Sequence, residues 1–366
     1  MARLGLGKEW NCIFSNEWSE KKAAIYRQVF GDTELRVCDV ADLTANDLPG
    51  FPTLAWASFP CQDLSLAGNG AGLAGKRSGT FRPFWKLMLD LFRLGRQPQI
   101  IVLENVVGTL TSHGGKDFNA LVTALSSANY RIGAMVIDAS RFLPQSRPRL
   151  FIIGVQRDRI IPSELTLATS AGPWHTKSLC SAVKRLPAKV RDLWVWWNLP
   201  LPTEKIESFA DLIEDEPVGV RWHSPTETRH ILGLMSELHR KKVREAQKLG
   251  VRTVGTVYRR TRPDADGRKV QRAEVRFDQI SGCLRTPGGG SSRQTIMIVE
   301  GRRIRSRLLS PREAARLMGV PEHYPLPKNY NDAYHLFGDG LAVPAVGWLN
   351  THLLVHLARK SFMAVA

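Results

Sequence analysis

Two side chains capable of covalent chemistry follow predicted strands in the first third of the chain. Cys61 follows the apolar run "TLAWASF", and Glu104 follows "IIVL". A thiolate is a strong nucleophile and a carboxyl group exchanges protons, so the pair suits covalent catalysis with proton transfer. Each residue alone has a plainer explanation, because a lone cysteine is most often a small buried residue and a glutamate often caps a helix or pairs with an arginine.

Further polar groups follow or precede other predicted strands. Glu17 follows "CIFSN" and Asp39 follows "LRVC", while Gln145, Arg147 and Arg149 lead into "LFIIGV". Arginines at such positions hold carbonyl or carboxylate groups through fixed donors, or they neutralise surface charge. Ligands bind beyond the carboxyl ends of the strands in an open parallel sheet, so the four groups that follow strands, Glu17, Asp39, Cys61 and Glu104, are expected at the edge where a ligand binds.

The elements that would position these groups alternate along the first 155 residues. Five apolar runs, "NCIFS", "LRVCD", "TLAWASF", "IIVLEN" and "LFIIGV", predict buried strands of a parallel α/β sheet. A crossover helix is predicted between two of them, because apolar residues recur with helical spacing before a glycine that ends the helix: Phe84, Leu87, Met88, Leu91, Phe92 and Gly95.

A second, smaller domain is predicted from about residue 160, where this alternation stops. Its tryptophans Trp194, Trp196 and Trp197 are expected in a core or domain interface rather than as a stacking platform for bases. Helical signals return after it. A capping box with its stop signals is predicted from Ser310, Pro311, Glu313, Gly319 and Pro321, and the apolar segment 343–357 is expected to pack on the first domain.

Positive charge is concentrated in the middle of the chain. The net charge is +17, and residues 156–310 contain 29 Lys and Arg against 17 Asp and Glu, a net of +12. The basic residues are densest in 239–272. Such a stretch is typical of a surface that binds a polyanion, although a solvated surface or a flexible insertion also explains it.

Cysteine spacing and hydropathy indicate the compartment. The five cysteines are scattered, which predicts neither a disulfide framework nor a zinc site, and we expect no metal: Cys12, Cys38, Cys61, Cys180 and Cys283. No apolar stretch is expected to approach the ~20 residues of a membrane span, and the first residues lack the apolar core of a signal peptide. We therefore predict a cytoplasmic protein.

Five stretches, in this order, resemble the motifs of the DNA cytosine-5 methyltransferases, especially the bacterial ones. They are "FPCQDLS", "LENV", "PQSRPRLFIIG", "LLSPREAARLMGVPEHY" and "FGDGLAVPAV". The resemblance implies an S-adenosylmethionine-dependent methyltransferase with a Rossmann-like α/β sheet. It also implies a catalytic and cofactor-binding domain at 1–160, a target-recognition domain at 161–308, and C-terminal helices at 309–366 that return to the catalytic domain.

The resemblance gives the first group of residues its chemistry. The thiolate of Cys61 would add to C6 of cytosine while Glu104 donates a hydrogen bond or proton at N3, so that C5 takes the methyl group of S-adenosylmethionine. Arg149 would contact the cytosine O2, and Arg147 and Gln145 would position the loop. Because these atoms are inaccessible inside a duplex, the base must be flipped out.

The resemblance also implies cofactor and DNA contacts. Glu17 would bind the ribose hydroxyls, Trp18 would pack on adenine, Asp39 with Val40 would meet the adenine amino group, and Pro60 would also contact the cofactor. The expected DNA contacts are Gln62, Ser65, Lys76, Arg77 and Arg293.

One glycine-rich match is discounted as a dinucleotide site. Gly70, Gly72 and Gly75 fit G-x-G-x-x-G, but they do not open a helix directly after a strand. We expect this segment to be a mobile loop that closes on the DNA.

The chain departs from the family pattern in two places. The family motif that begins at Gly338 usually continues with asparagine, but this chain has Asp339, which is expected to perturb cofactor or loop contacts mildly. The family opens with a strand and a glycine-rich turn for the methionine part of the cofactor, whereas residues 1–10 resemble the helix after that turn. Either the start codon is misassigned, or the chain lacks this strand and leaves a neighbouring strand unpaired.

These observations predict a monomeric bacterial enzyme that methylates cytosine C5 in specific duplex DNA sequences and is associated with the nucleoid. A companion restriction endonuclease is a further expected partner. Two alternatives stay open: a catalytically silent DNA-binding remnant without cofactor binding, and an enzyme that methylates cytosine in RNA. The intact Cys61, Glu104 and Arg149 favour an enzyme, and the large basic region favours duplex DNA.

Overall fold

The computed structural model of the 366-residue chain describes residues 1–59, 81–263, 266–285 and 293–359. Two compact units are present. The large-sheet unit comprises Leu6–Asp138, Pro148–Leu201 and the chain from Gly347, and the small-sheet unit comprises Met1–Gly5, Ala139–Arg147 and Pro202–Val346. The domain boundaries expected at residues 160 and 308 stay predictions.

A mixed six-stranded sheet forms the centre of the large-sheet unit, in the order β3-β4-β6-β5-β8-β7. Its strands are β3 (Leu54–Ser58), β4 (Ile100–Val106), β5 (Tyr130–Asp138), β6 (Pro148–Gln156), β7 (Thr166–Leu167) and β8 (Trp194–Trp197). The expectation of a parallel sheet is wrong in part, because β6 runs antiparallel to both β4 and β5. The connection from β5 to β6 is shorter than the dozen or so residues of a parallel crossover, so β6 reverses direction.

Two further predicted strands form a separate parallel pair in the same unit. β1 (Ser15–Glu17) pairs with β2 (Leu35–Val37), with Glu17 opposite Val37. Within the described ranges no ladder joins this pair to the six-stranded sheet, so β3 pairs with a strand, β4, on one side alone. An unpaired strand edge was expected if the family's opening strand is absent from this chain.

The described helices of this unit before residue 200 are α2 (Glu20–Phe30), α3 (Phe81–Arg93), α4 (Lys116–Ser127), α5 (Lys177–Lys184) and α6 (Ala188–Arg191), whereas α1 (Ala2–Leu6) lies almost wholly in the small-sheet unit. The predicted crossover helix is α3, and it buries Leu87, Met88 and Leu91. It ends at Arg93; Gly95 (φ 68°) lies two residues later, and the Arg96 N–H donates to the Leu91 carbonyl at 2.8 Å. Phe92 departs from the prediction, since it is 43% exposed at the margin of the apolar face.

The tryptophan prediction is confirmed in the large-sheet unit. Trp197 is fully buried, and Trp194 and Trp196 pack against the main core. The packing requires a glycine on the neighbouring strand, because a Cβ at Gly133 would lie 2.3 Å from the Trp197 Nε1. These rings therefore contribute to the core and not to a surface for stacking bases.

The small-sheet unit contains an antiparallel sheet in the order β10-β9-β11-β12. Its strands are β9 (Thr253–Pro263), β10 (Lys269–Arg276), β11 (Thr295–Glu300) and β12 (Arg303–Leu308), and its helices include α7 (Pro225–Gly233), α8 (Glu237–Lys248) and α9 (Pro311–Arg316). One apolar cluster joins Ile231 and Val243 of the helices to Val257, Val275 and Met297 of the strands.

The predicted capping box begins α9. The Glu313 N–H donates to the Ser310 Oγ at 3.1 Å, and the Ser310 N–H donates to the Glu313 carboxylate at 2.7 Å. Pro311 occupies the first helical position, and Gly319 (φ 67°) follows the helix end. The helix prediction is therefore confirmed.

The last helices are α10 (Tyr330–Gly338), α11 (Val343–Leu349) and α12 (Val355–Ala358). The segment Tyr330–Ala358 is long and apolar enough, by length and composition alone, to cross a membrane. This finding differs from the expectation of no apolar stretch near the length of a membrane span, and the segment includes the charged residues Asp332 and Asp339. Half of the most apolar window is buried in the structure, and core helices pass the same test.

Candidate active site

Two of the predicted catalytic side chains meet at one end of the six-stranded sheet. Glu104 of β4 lies opposite Ser58 of β3, and Arg149 of β6 lies opposite Val106. The Arg149 Nε is 3.2 Å from the Glu104 Oε1, and the two side chains are 16% and 9% exposed. The guanidinium group thus holds a largely buried carboxylate at the carboxyl end of β4.

Strand pairing also fixes where the chain leaves β3 toward the predicted nucleophile. Ser58 is the last residue of β3 and lies beside Glu104 in the ladder, three residues before Cys61. The other residues predicted to act in this segment lie outside the described residues. They are Pro60, Cys61, Gln62, Ser65, Gly70, Gly72, Gly75, Lys76 and Arg77.

Asn105 makes a buried connection between these two strand ends. It is 4% exposed, and its Nδ2 donates to the Phe59 carbonyl at 3.0 Å. Its Oδ1 accepts from the Val106 N–H at 2.8 Å and from the Thr109 hydroxyl at 3.1 Å. Asn105 was not predicted as a site residue, although it lies in the "LENV" stretch.

Gln145 belongs to the small-sheet unit and is fully buried there. Its Nε2 donates to the Leu317 carbonyl at 2.5 Å, and its Oε1 accepts from the Leu284 N–H at 3.1 Å. A side chain with both ends bonded to backbone groups joins segments that are far apart in sequence.

Arg147 makes a second connection of the same kind. It is 2% exposed, and its guanidinium group donates to the carbonyls of Leu284 (2.9 Å), Gly338 (2.7 Å) and Gly340 (2.7 Å). It also lies 3.1 Å from the Cys283 sulfur. The buried Arg147 guanidinium group therefore joins Gly338 and Gly340, which flank Asp339, to Leu284.

Four of the five predicted cofactor residues follow or end the strands of the parallel pair β1–β2, and the fifth, Pro60, is outside the described residues. Glu17 ends β1, and its Oε1 accepts from the Ser19 N–H at 2.9 Å. Trp18 follows it and is 78% exposed. Asp39 caps the short helical turn after β2 by accepting from the Ala41 N–H at 2.9 Å, and Val40 packs against the main core.

The chemistry of Glu17 and Trp18 fits the nucleoside part of S-adenosylmethionine. The Glu17 carboxylate accepts hydrogen bonds of the kind that ribose hydroxyls donate, and the exposed Trp18 indole offers a face on which adenine can stack. The two groups are consecutive at the carboxyl end of β1, where an α/β sheet binds its ligands.

Arg293 is held in place within the small-sheet unit. Its NH2 lies 2.5 Å from the Asn331 Oδ1, and its guanidinium carbon is 5.6 Å from the centre of the Tyr330 ring. Burial raises the pKa of Tyr330, which donates its hydroxyl proton to the Leu309 carbonyl at 3.0 Å. A guanidinium group fixed in this way is suited to an anionic partner.

The basic segment 239–272 forms α8 and the hairpin of β9 and β10. On α8, Arg240, Lys241 and Arg244 are half or more exposed, and intrahelical pairs to glutamates neutralise them in part. On the hairpin, the exposed basic residues include Arg260, Arg268, Lys269 and Arg272.

A buried ion pair of the small-sheet unit was not predicted. Arg307 and Glu313 are both fully buried and form two hydrogen bonds of 2.6 and 2.8 Å. Arg307 also donates to the Glu214 carbonyl at 2.6 Å. The only signal in the sequence was Glu313 at the third position of a helix, which had been assigned to the capping box alone.

Comparisons with known proteins agree with this architecture. A family model described as C-5 cytosine-specific DNA methylase matches residues 2–353. The Type II methyltransferase M.HpaII of Haemophilus parainfluenzae is 25% identical over 359 residues, which cover 92% of this chain and 80% of that protein. M.DsaV of Dactylococcopsis salina is 26% identical over 347 residues, which cover 94% of this chain and 80% of that protein.

Solved structures share the fold. A mutant of Spodoptera frugiperda DNMT2 superposes with a TM-score of 0.58 at 16% identity, covering 97% of this chain and 95% of its own. The Schizosaccharomyces pombe Dnmt2 methyltransferase gives 0.51 at 16% identity, with coverages of 96% and 92%. The fold is that of an S-adenosylmethionine-dependent methyltransferase, and the family match over nearly the whole chain shows that this protein belongs to the C-5 cytosine-specific DNA methylases.

Proposed function

We propose that this chain transfers a methyl group from S-adenosylmethionine to C5 of a cytosine in duplex DNA. The observation that carries the proposal is the placement of Glu104, paired with Arg149, beside the strand end that leads to Cys61. Adjacent strand ends thereby contribute a nucleophile and a proton-exchanging group.

The Cys61 thiolate forms a bond to C6 of the base, which makes C5 electron-rich. In its protonated form, Glu104 donates a hydrogen bond or proton at N3 and so stabilises the charge that the addition places on the ring. After C5 has been methylated, a water molecule takes the C5 proton, and the C6–S bond breaks by β-elimination to release the Cys61 thiolate. Because a duplex hides C6 and N3, the cytosine must be flipped out before Cys61 reaches it.

Arg149 acts on both partners in this scheme. Its Nε holds the Glu104 carboxylate, and its NH1 donates to the Pro148 carbonyl, so the guanidinium plane is fixed from two sides. A fixed guanidinium at this position can donate to the cytosine O2 with little loss of side-chain entropy. Gln145 and Arg147 are positioning residues, because backbone carbonyls bind their donors.

Glu17 and Trp18 are the residues that would hold the nucleoside part of the cofactor, and Asp39 and Val40 would lie near the adenine. When bound, S-adenosylmethionine supplies an electrophilic methyl group. Pro60 is proposed to contact it as well.

Duplex DNA is the proposed partner of the basic residues. Phosphate binding explains the net +12 of residues 156–310, and Arg293 is proposed to contact the backbone. Gln62, Ser65, Lys76 and Arg77 complete the proposed DNA contacts. A companion endonuclease, a monomeric state and a bacterial nucleoid location belong to the same proposal.

A catalytically silent DNA-binding protein is the second candidate. The observation that favours it is the separation of β1–β2 from the six-stranded sheet in the described part of the chain. This separation leaves Glu17 and Trp18 on a short two-stranded sheet, which is a less rigid support for a ligand than a continuous sheet.

Transfer of a radiolabelled methyl group to mixed-sequence duplex DNA tests the proposal. We expect incorporation by the wild-type chain, none by Cys61→Ser, and for Glu104→Gln a rate lower by about 10²–10⁴-fold with DNA affinity nearly unchanged. Silent wild-type protein that still binds duplex DNA would support the second candidate. Equal losses of transfer and DNA binding in Glu104→Gln would make Glu104 a structural residue.

The substrate is tested in the same assay. Transfer RNA replaces the duplex in a parallel reaction, and we expect incorporation into the duplex alone. Incorporation into the RNA alone would move the proposal to RNA cytosine.

A further inference from the structure

Trp222 of the small-sheet unit packs against two arginines of the edge strand β12. The guanidinium carbon of Arg305 lies 4.4 Å from the centre of the indole ring, and that of Arg307 lies 4.9 Å from it. Trp222 is itself attached to this edge by an antiparallel bridge to Arg307. Because side chains two residues apart on a strand point to the same face, one ring fixes the direction of both guanidinium groups.

The two arginines differ in how their charge is compensated. Arg307 is fully buried and paired with Glu313. Arg305 is partly exposed, and it forms no hydrogen bond or ion pair with any residue of the described ranges. A partly buried guanidinium group loses some of its hydration, and stacking on an indole offsets only part of that loss. The donors of Arg305 are therefore available to an anion from outside the small-sheet unit.

Two neighbouring acidic residues are committed to other donors. The two carboxylate oxygens of Glu227 accept from Arg221, the residue before Trp222, at 2.6 and 2.8 Å. The two oxygens of Glu313 accept from Arg307, also at 2.6 and 2.8 Å. The positive charge of Arg305 thus stays uncompensated within the described part of the chain.

The neighbouring imidazole of His223 also lies in a positive environment. Burial lowers the pKa of His223, and the charges of Arg221 and Arg259 lower it further, although Glu227 acts in the opposite direction. A local excess of guanidinium groups attracts anions to this part of the surface. The residues around Trp222 therefore have the electrostatic character of an anion-binding site.

We propose that Arg305 is a DNA-binding residue that contacts one phosphate of the duplex, and that Trp222 is the positioning residue that holds its guanidinium group. The inference rests on the proposed function, in which duplex DNA is the partner of the basic region. A guanidinium group binds a phosphate through paired N–H···O bonds, and a stacked one loses little side-chain freedom on binding. Such a contact positions the duplex without reading its sequence.

Three variants separate the charge from the ring. Arg305→Met removes the charge and keeps an apolar stem that packs on the indole. Trp222→Leu keeps the charge and removes the ring, and Trp222→Phe is its matched control because it keeps an aromatic face. Arg93→Met is the control for losing an exposed arginine, since Arg93 lies on α3 of the other unit and pairs with Asp90.

The measurements are made on the full-length chain. The dissociation constant for mixed-sequence duplex DNA is determined over a series of salt concentrations, and kcat and KM for the same duplex are determined by methyl transfer. Urea unfolding of each variant verifies that it is folded.

For Arg305→Met we expect DNA binding about tenfold weaker at about 0.1 M salt, and a slope of log Kd against log salt smaller by about 0.9. For Trp222→Leu we expect binding about three- to fivefold weaker with the wild-type slope, because the charge remains. Trp222→Phe and Arg93→Met should stay within about twofold of wild type. In Arg305→Met, KM for DNA should rise while kcat is unchanged.

Several outcomes would overturn the inference. Wild-type affinity in Arg305→Met would do so, and so would a loss of affinity with an unchanged salt slope, which would make the residue structural. An equal loss in Arg93→Met, or weaker binding of transfer RNA with duplex binding intact, would also overturn it. If Trp222→Leu does not fold, Arg305→Met alone decides.

The failure of the proposed function is a different result. A wild-type chain that binds duplex DNA but transfers no methyl group would refute the proposed function, and the salt slopes would still decide the role of Arg305. A wild-type chain that transfers methyl groups while Arg305→Met keeps the wild-type slope would refute this inference alone.

Discussion

Replacing Arg307 by methionine should destabilise the small-sheet unit strongly. The variant leaves the Glu313 carboxylate fully buried, with the backbone N–H groups of Ser310 and Glu214 as its remaining donors. It removes two hydrogen bonds between charged groups, each worth about 1.5–3 kcal/mol, and strands a buried charge. We expect the free energy of unfolding to fall by about 3–5 kcal/mol.

Trp222 allows this loss to be measured in its own unit. Its ring lies 4.9 Å from the Arg307 guanidinium carbon, and it is the only tryptophan in the sequence ranges of the small-sheet unit. Urea unfolding of protein labelled with fluorotryptophan, followed by fluorine NMR, resolves its resonance from those of the other nine. Trp222→Phe assigns the resonance.

Two variants make the measurement decisive. Arg244→Met removes an exposed cation from a pair with Glu237, and it should change the stability by at most about 0.5 kcal/mol. Arg307→Met combined with Glu313→Leu should cost less than Arg307→Met alone, because no buried charge is left unpaired. A loss below about 1 kcal/mol in Arg307→Met would refute the reasoning about the buried pair.

Further predictions concern pH, packing and charge. Burial lowers the pKa of His175, whose Nε2 has no partner among the described residues, so the unfolded chain binds the proton first. The unfolding free energy should therefore fall as the pH drops below about 6.5 in wild type, and less in His175→Gln; parallel curves for the two would contradict this. Gly133→Ala should lower the free energy of unfolding in urea by about 1–3 kcal/mol, because the added Cβ would collide with Trp197. Gly233→Ala is the control, since its added Cβ would meet no atom within 4 Å, and equal stabilities of the two variants would contradict the packing argument. Replacing Lys241 and Lys242 together by alanine should reduce the slope of log Kd for DNA against log salt by about 2, and an unchanged slope would remove α8 from the interface.

Short-range sequence patterns were sufficient to predict the helices and strands whose residue spacing is characteristic of one secondary structure. The apolar face of α3, the capping box of α9 and the core position of Trp197 each depend on short-range spacing or on residue size, and the structure confirms them. The strand that ends in Glu104 was predicted for the same reason, because a continuous apolar run of this length is typical of a buried strand.

The features that were not predicted from the sequence depend on contacts between residues that are far apart in the chain. The direction of β6 follows from a short connection and from register, which apolar runs do not encode. The Arg307–Glu313 pair and the Asn105–Phe59 bond join residues whose types have many uses. The resemblance implied that Glu104 and Arg149 act on one cytosine, but their meeting at one end of the sheet depends on the antiparallel direction of β6.

The central claim is that the Cys61 sulfur bonds to cytosine, and trapping the adduct tests it most directly. A duplex containing 5-fluorocytosine blocks the final elimination, because fluorine replaces the proton that must leave C5. With S-adenosylmethionine present, we predict a covalent protein–DNA complex whose digestion yields the modified nucleotide on the peptide that contains Cys61. Intact wild-type protein that methylates ordinary duplex DNA yet forms no adduct at Cys61 would contradict the account.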